Sequence, residues 1–130
     1  MEKYLYFRTE ATDADDDATG DSACWPASSL MGMQPISDTV LQLYFLPMMR
    51  RTPSGNEPDA NASFDNHDKV SVTIPANTHL VTITAIVGAI SNSAKSTIIV
   101  ANDDSGGTEY LDGSGITACG GISVNAAYAN

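Results

Sequence analysis

Positive charge is what this chain has least of. Six Lys and Arg stand against 16 Asp and Glu, a formal net charge of -10 over 130 residues. A surface of that sign repels phosphate backbones and anionic bilayers, which argues against nucleic acid or a membrane as partner. It suits solubility in a salty medium, with a dedicated cationic partner as the sharper alternative. Long apolar runs are missing as well. The best candidate, Leu80 to Ile90, is interrupted by threonines and falls short of the ~20 residues that a membrane-spanning helix needs. The opening MEKYLYFRTE has neither the basic flank nor the long apolar core of an export signal, so no export signal is expected there.

Reactive side chains are equally sparse. The two cysteines, Cys24 and Cys119, match no metal-ligand spacing, and the expectation is a pair of reduced, buried thiols acting as small apolar residues, with a disulfide as the alternative. The two histidines are His67, in a polar interval, and His79, at the start of a candidate helix. Gly20-Asp21-Ser22 is similar to the nucleophile block of one hydrolase family, but that chemistry needs an oriented histidine base and a larger scaffold. Phosphate-binding glycine loops, dinucleotide fingerprints and paired-cysteine zinc patterns do not occur. The chain is therefore expected to be no enzyme and to carry no cofactor.

What is present is enough to fold. Hydrophobic residues make up 42% and charged residues 17%, the composition of a globular chain, and the length is that of one domain over residues 1–130. Lys3 to Thr9 carries Tyr4, Leu5, Tyr6 and Phe7, a strand signal. Asp38 to Leu46 is the strongest strand, apolar on both faces apart from Gln42 and so expected to be covered on both sides. Val70, Val72 and Ile74 alternate with polar residues, a half-buried strand. Ile98 to Ala101 is a continuous run, as in a strand covered on both faces. Short strands are expected over Thr108 to Leu111 and over Ile116 to Val124, the latter with a bulge or close backbone approach at Gly120 and Gly121.

Between these strands, Thr78 to Asn92 fits both a period of two and helical spacing through Leu80, Ile83, Val87 and Ile90. Its length decides for a helix, with Asn77 as N-cap and Asn92 and Ser93 as the stop. The fold class is thus α+β and mostly β: a single mixed or antiparallel sheet or sandwich of about five to six strands with one short helix. An all-β sandwich is the alternative should Thr78–Asn92 be extended.

Three segments hold candidate sites. In the loop ATDADDDATGD, Asp13, Asp15, Asp17 and Asp21 give a faint echo of calcium-loop spacing, but Ala18 and Cys24 stand where such a loop needs glycine and a bidentate Glu. A solvated acidic loop and an adventitious calcium site are the two readings. Ser22 to Pro35, read as an irregular crossing segment, contains Trp25, Met31 and Met33, either core or a partner contact. The polar interval 50–68 holds Arg50, Arg51 and Phe64 and reads as an arm that docks on a neighbour or as a surface loop.

Taken together, KYLYFRT, the acidic loop, DTVLQLYF, KVSVTI, a short helix, TIIVANDDSGGTEYL and ITACGGISV resemble small virion structural proteins of marine tailed bacteriophages that infect cyanobacteria or pelagic bacteria. Thr82 and Thr84 depart from the resemblance, standing where a charged residue is expected on the helix's exposed face. The resemblance implies a capsid decoration or cement protein on the virion surface, present in many copies. Its partners would be the major capsid protein or neighbouring copies of itself. A tail or adhesion module that binds a host receptor or glycan, and a small host-takeover protein that binds an enzyme, are the alternatives.

Overall fold

The structure, a computed structural model, describes residues 2–48 and 67–126. Arg50, Arg51, Phe64 and nearly all of the polar interval lie outside the described residues. The elements in order are β1 (Tyr4–Arg8), β2 (Ser22–Pro26), β3 (Leu30–Ser37), β4 (Val40–Phe45), β5 (His67–Thr73), α1 (His79–Asn92), β6 (Thr97–Asn102), β7 (Glu109–Tyr110) and β8 (Ala118–Ala126). His67 and Asp68, read from sequence as the end of the polar interval, begin β5 instead.

The protein is mostly β with one helix, but its strands form two sheets rather than one. The first has the order β2-β1-β6-β7 and the second β3-β4-β5-β8. β1 and β6 run parallel, while every other pairing is antiparallel. Among the described residues the count rises to eight because Ser22 to Pro35, expected to be irregular, contributes β2 and most of β3. Each sheet has one apolar face, and the two faces bury each other. Trp25 of the first sheet stacks on Phe45 of the second at 4.5 Å and 5°, and Phe7 meets both edge-on at 5.7 and 6.1 Å.

That closure explains where the strand expectations fail. Leu41, Leu43 and Phe45 of β4 point into the core, as do Val70 and Val72 of β5. The opposite side of β4, with Val40, Gln42 and Tyr44, is only half-buried, so β4 is covered on one side and not on two. β6 likewise alternates, Ile98 and Val100 inward and Thr97 exposed, until a register shift against β1 draws Ala101 inward too. Cys24 is exposed on β2, against the expectation of two buried thiols, whereas Cys119 is buried, and both are free.

Helix α1 forms over nearly the expected span and ends as expected at Ser93. Its start differs. Asn77 does not cap it but turns the chain in the left-handed region at φ 63°, its amide donating to the Asp38 carbonyl. Its inward residues are Thr82 and Ile86, with Ile83, Ala89 and Ile90 packed against the core.

Candidate functional site

Two regions of contrasting chemistry lie near the two ends of β1. At its end, Arg8 is buried to 7% exposure, and its guanidinium is ringed by carboxylates: Asp13 at 3.0 Å, Asp104 at 3.6 Å and Asp16 at 3.8 Å. Its Nε donates to the Glu10 carbonyl at 2.8 Å. The bond to Asp13 raises the Arg8 pKa further, so the cation is permanent across all working pH. Glu10 is pushed above the usual carboxylate range, first by burial and then by the charges of Asp21, Asp15 and Asp16.

This geometry places the four residues expected as a calcium loop. Asp13 pairs with Arg8, Asp15 accepts the Thr12 hydroxyl at 2.6 Å, and Asp21 accepts the amides of Asp17 and Ala18 at 3.1 and 2.7 Å. The carboxylates of Asp13, Asp15 and Asp21 thus serve local bonds, and Asp17 joins them through its amide alone. Among the described residues no group of three or more His, Cys, Asp or Glu is positioned to hold a metal ion. The residue that sequence reasoning missed is Arg8, which supplies an internal cation to the loop. An arginine closing an aromatic strand just before an acidic run was the available signal. Ser22, of the hydrolase-like block, donates to Asp16 at 2.6 Å.

Near the start of β1, α1 lies across the sandwich. Lys3 Nζ donates to the Ile90 carbonyl at 2.8 Å, closing the helix C-terminus with a positive charge. His79 Nε2 sits 2.9 Å from the Ser37 carbonyl and 3.3 Å from that of Val40, so the first turn is tied to the β3–β4 turn. Thr82 donates to the Ser114 carbonyl at 2.6 Å in the interior. The outward side is apolar: Leu80 is 76% exposed, Val81 54% and Val87 48%. Leu80 and Val87, which share their helical spacing with Ile83 and Ile90, face solvent, and Thr82, expected on the exposed face, is fully buried. No Asp, Glu, Lys or Arg occurs anywhere in α1.

Of the expected partner contacts, Trp25 lies fully buried in the core and donates through Nε1 to the buried Asp68 at 2.8 Å. Met33 packs against the core from β3. Met31 is half-exposed and, with Gly32, Gln34 and Tyr44, lines an open trough of about 380 Å³ on the outer face of the second sheet. There Gln34 Nε2 donates to the Tyr44 hydroxyl at 3.0 Å. No protein-family model matches this chain, nor does any curated protein or solved structure.

Proposed function

We propose that this protein is a virion structural protein, a decoration or cement protein bound to the outer surface of a phage head. The observation that carries the reading is the division of its surface. Asp13, Asp16 and Asp104 surround Arg8, and Glu10, Asp15, Asp17, Asp21 and Asp103 lie within a few residues of them along the chain, so half of the 16 carboxylates fall in these two segments, while the helix across the start of β1 has no Asp, Glu, Lys or Arg and exposes Leu80, Val81 and Val87. A module divided in this way attaches by the apolar side and presents the acidic side to solvent. Such an attachment gains strength from repetition, because each further contact on a shell forms at high effective concentration. The sequence resemblance to marine phage virion proteins supports the same reading, with synthesis in the host cytoplasm followed by addition to the head.

Mass spectrometry of purified virions tests it. The protein should be present in many copies, and particles lacking it should lose their DNA at lower temperature. Absence from virions refutes the reading.

A second reading, an adhesion module for a host glycan, is favoured by one observation. The outer face of the second sheet offers Gln34, Gln42, Tyr44, Ser71 and Thr73 beside Lys69, amide, hydroxyl and phenol groups of the kind that bind sugar hydroxyls. Immunogold labelling separates the two, marking heads in the first and tails in the second.

A further inference from the structure

We infer that the step from Asp112 to Gly113 is a site of spontaneous covalent modification, at which Asp112 cyclises onto the Gly113 amide and reopens as isoaspartate. The inference stands apart from the capsid reading and needs no partner, metal or enzyme.

Ring closure of this kind is least hindered where Asp or Asn precedes a small residue. The chain has four such steps into Gly or Ser: Asp21 to Ser22, Asn92 to Ser93, Asp104 to Ser105 and Asp112 to Gly113. Closure requires a side chain free to turn and a following main-chain nitrogen that no hydrogen bond holds. The fold withholds one or both at three of the four. The Asp21 carboxylate accepts the amides of Asp17 and Ala18 at 3.1 and 2.7 Å. The Ser93 amide donates to the Ala89 carbonyl and the Ser105 amide to that of Ala11, each at 2.9 Å. Asp104 is held as well, accepting the Gly106 amide at 3.0 Å and facing Arg8 at 3.6 Å.

The fourth step meets both requirements. Asp112 and Gly113 are exposed, and among the described residues neither the Asp112 carboxylate nor the Gly113 amide makes a hydrogen bond or ion pair. Gly113 turns the chain at φ 76°, with no atom within 4 Å of the position a Cβ would take. Its lack of a side chain leaves the nitrogen open to attack on Cγ and eases the rotation about the Asp112 main chain that closure needs. The flanking residues are anchored instead. Ser114 is fully buried, and its amide and hydroxyl donate to the Leu111 carbonyl at 3.1 and 2.6 Å.

The chemistry is a dehydration followed by a hydrolysis. The Gly113 nitrogen bonds to Asp112 Cγ, its proton and the carboxyl hydroxyl leave as water, and a five-membered succinimide forms. Water then adds to one of the two ring carbonyls. Breaking the bond from nitrogen to Cγ restores aspartate. Breaking the bond from nitrogen to the main-chain carbonyl carbon gives isoaspartate, with Cβ now in the backbone and the carboxylate on Cα. Nothing is oxidised or reduced, and the final mass is unchanged. The extra backbone atom lengthens the turn from Leu111 to Ser114, whose Ser114 carbonyl accepts the Thr82 hydroxyl at 2.6 Å. Modification therefore loosens the tie between α1 and the turn before β8.

Ageing the full chain for several weeks at neutral pH and physiological temperature, followed by tryptic mapping, tests this. No Lys or Arg follows Lys95, so Asp112 falls in the C-terminal peptide that begins at Ser96. That peptide should elute as two species of equal mass, one of them resistant to Asp-N endoproteinase at residue 112, with a trace one water lighter. The aged protein should melt a few degrees lower than the fresh one. Ageing in urea should speed modification at Asp104 far more than at Asp112, since the fold shields only the former. Asp112→Glu, which keeps the charge but would need a six-membered ring, should give a single species and an unchanged Tm on ageing. A single species from the parent, isomerisation mapped to Asp104, or folding that suppresses the reaction at Asp112 as strongly as at Asp104 overturns the inference. An unchanged Tm in the modified protein overturns its link to α1.

Discussion

Gly120 shows most directly how single residues control this fold. β5 and β8 lose register between Val70 and Val72, and at that bulge Gly120 lies so close to Ser71 that a Cβ would meet the serine Oγ at 2.1 Å and its carbonyl oxygen at 2.9 Å. The hydroxyl could turn aside, but the backbone carbonyl cannot move without breaking the ladder. Gly120→Ala should therefore destabilise the protein by about 1–3 kcal/mol, as overpacking does. Gly121→Ala meets nothing within 4 Å and should fall within about 0.5 kcal/mol of the parent. Urea denaturation of the two variants checks the pair, and equal losses would contradict the bulge geometry. The consecutive glycines were legible in the sequence as a bulge or close approach. Which of the two is indispensable was not, because that depends on the strand across the ladder.

Among the elements, α1 carries the most instructive mismatch. Its existence and length follow from an uninterrupted segment too long for a strand, but its orientation does not follow from apolar spacing. Apolar residues occur on both sides of it, so no single stripe marks the buried side. The deciding interaction is polar. Buried Thr82 donates to Ser114 at 2.6 Å and so joins the helix to the turn before β8. Thr82→Val keeps the shape and removes the donor. It should cost about 1–3 kcal/mol, the penalty of leaving a buried carbonyl without its partner, and differential scanning calorimetry would read it as a lowered Tm. An unchanged Tm would show that Ser114 finds another donor. β3 was obscured for a different reason. Register shifts near Leu30 and near Pro35 break its alternation, and Pro35 is tolerated because β3 is an edge strand.

For the molecule as a whole, the two sheets are latched beside the acidic region through Asp103, which follows β6. Its carboxylate accepts the Tyr110 hydroxyl of β7 at 2.5 Å and the Cys119 amide of β8 at 3.1 and 3.2 Å, so one side chain holds both sheets. Burial first and then Asp103 push the Cys119 thiol from its ordinary 9.0 up to about 12. Burial and the bond to Asp103 push Tyr110 from 10.0 up to about 12. Between those ordinary values and 12 the folded protein binds more protons than the unfolded chain. The stability the two groups contribute is complete below about pH 9 and is lost as pH rises through about 12. Thermal melts should therefore decline with rising pH over that window, and Tyr110→Phe, which cannot ionise, should flatten the upper part of the decline. Parallel profiles for parent and variant would remove Tyr110 from the account.

The sequence by itself determined that this chain is acidic and mostly β, with one helix near residues 78–92, a strand at β4 and an alternating strand at β5. These properties depend on composition and on local period, which neighbours along the chain express directly. Only the tertiary structure decided that the strands divide into two sheets, that Trp25 belongs to the core against Phe45 and Asp68, and that Arg8 stands among the carboxylates of the acidic loop. It also decided that Leu80 and Val87 face outward. Each of those outcomes depends on which distant segments meet. Burial of an apolar side chain and pairing of a charge are both set by the partner across the gap, and one segment's pattern does not name that partner.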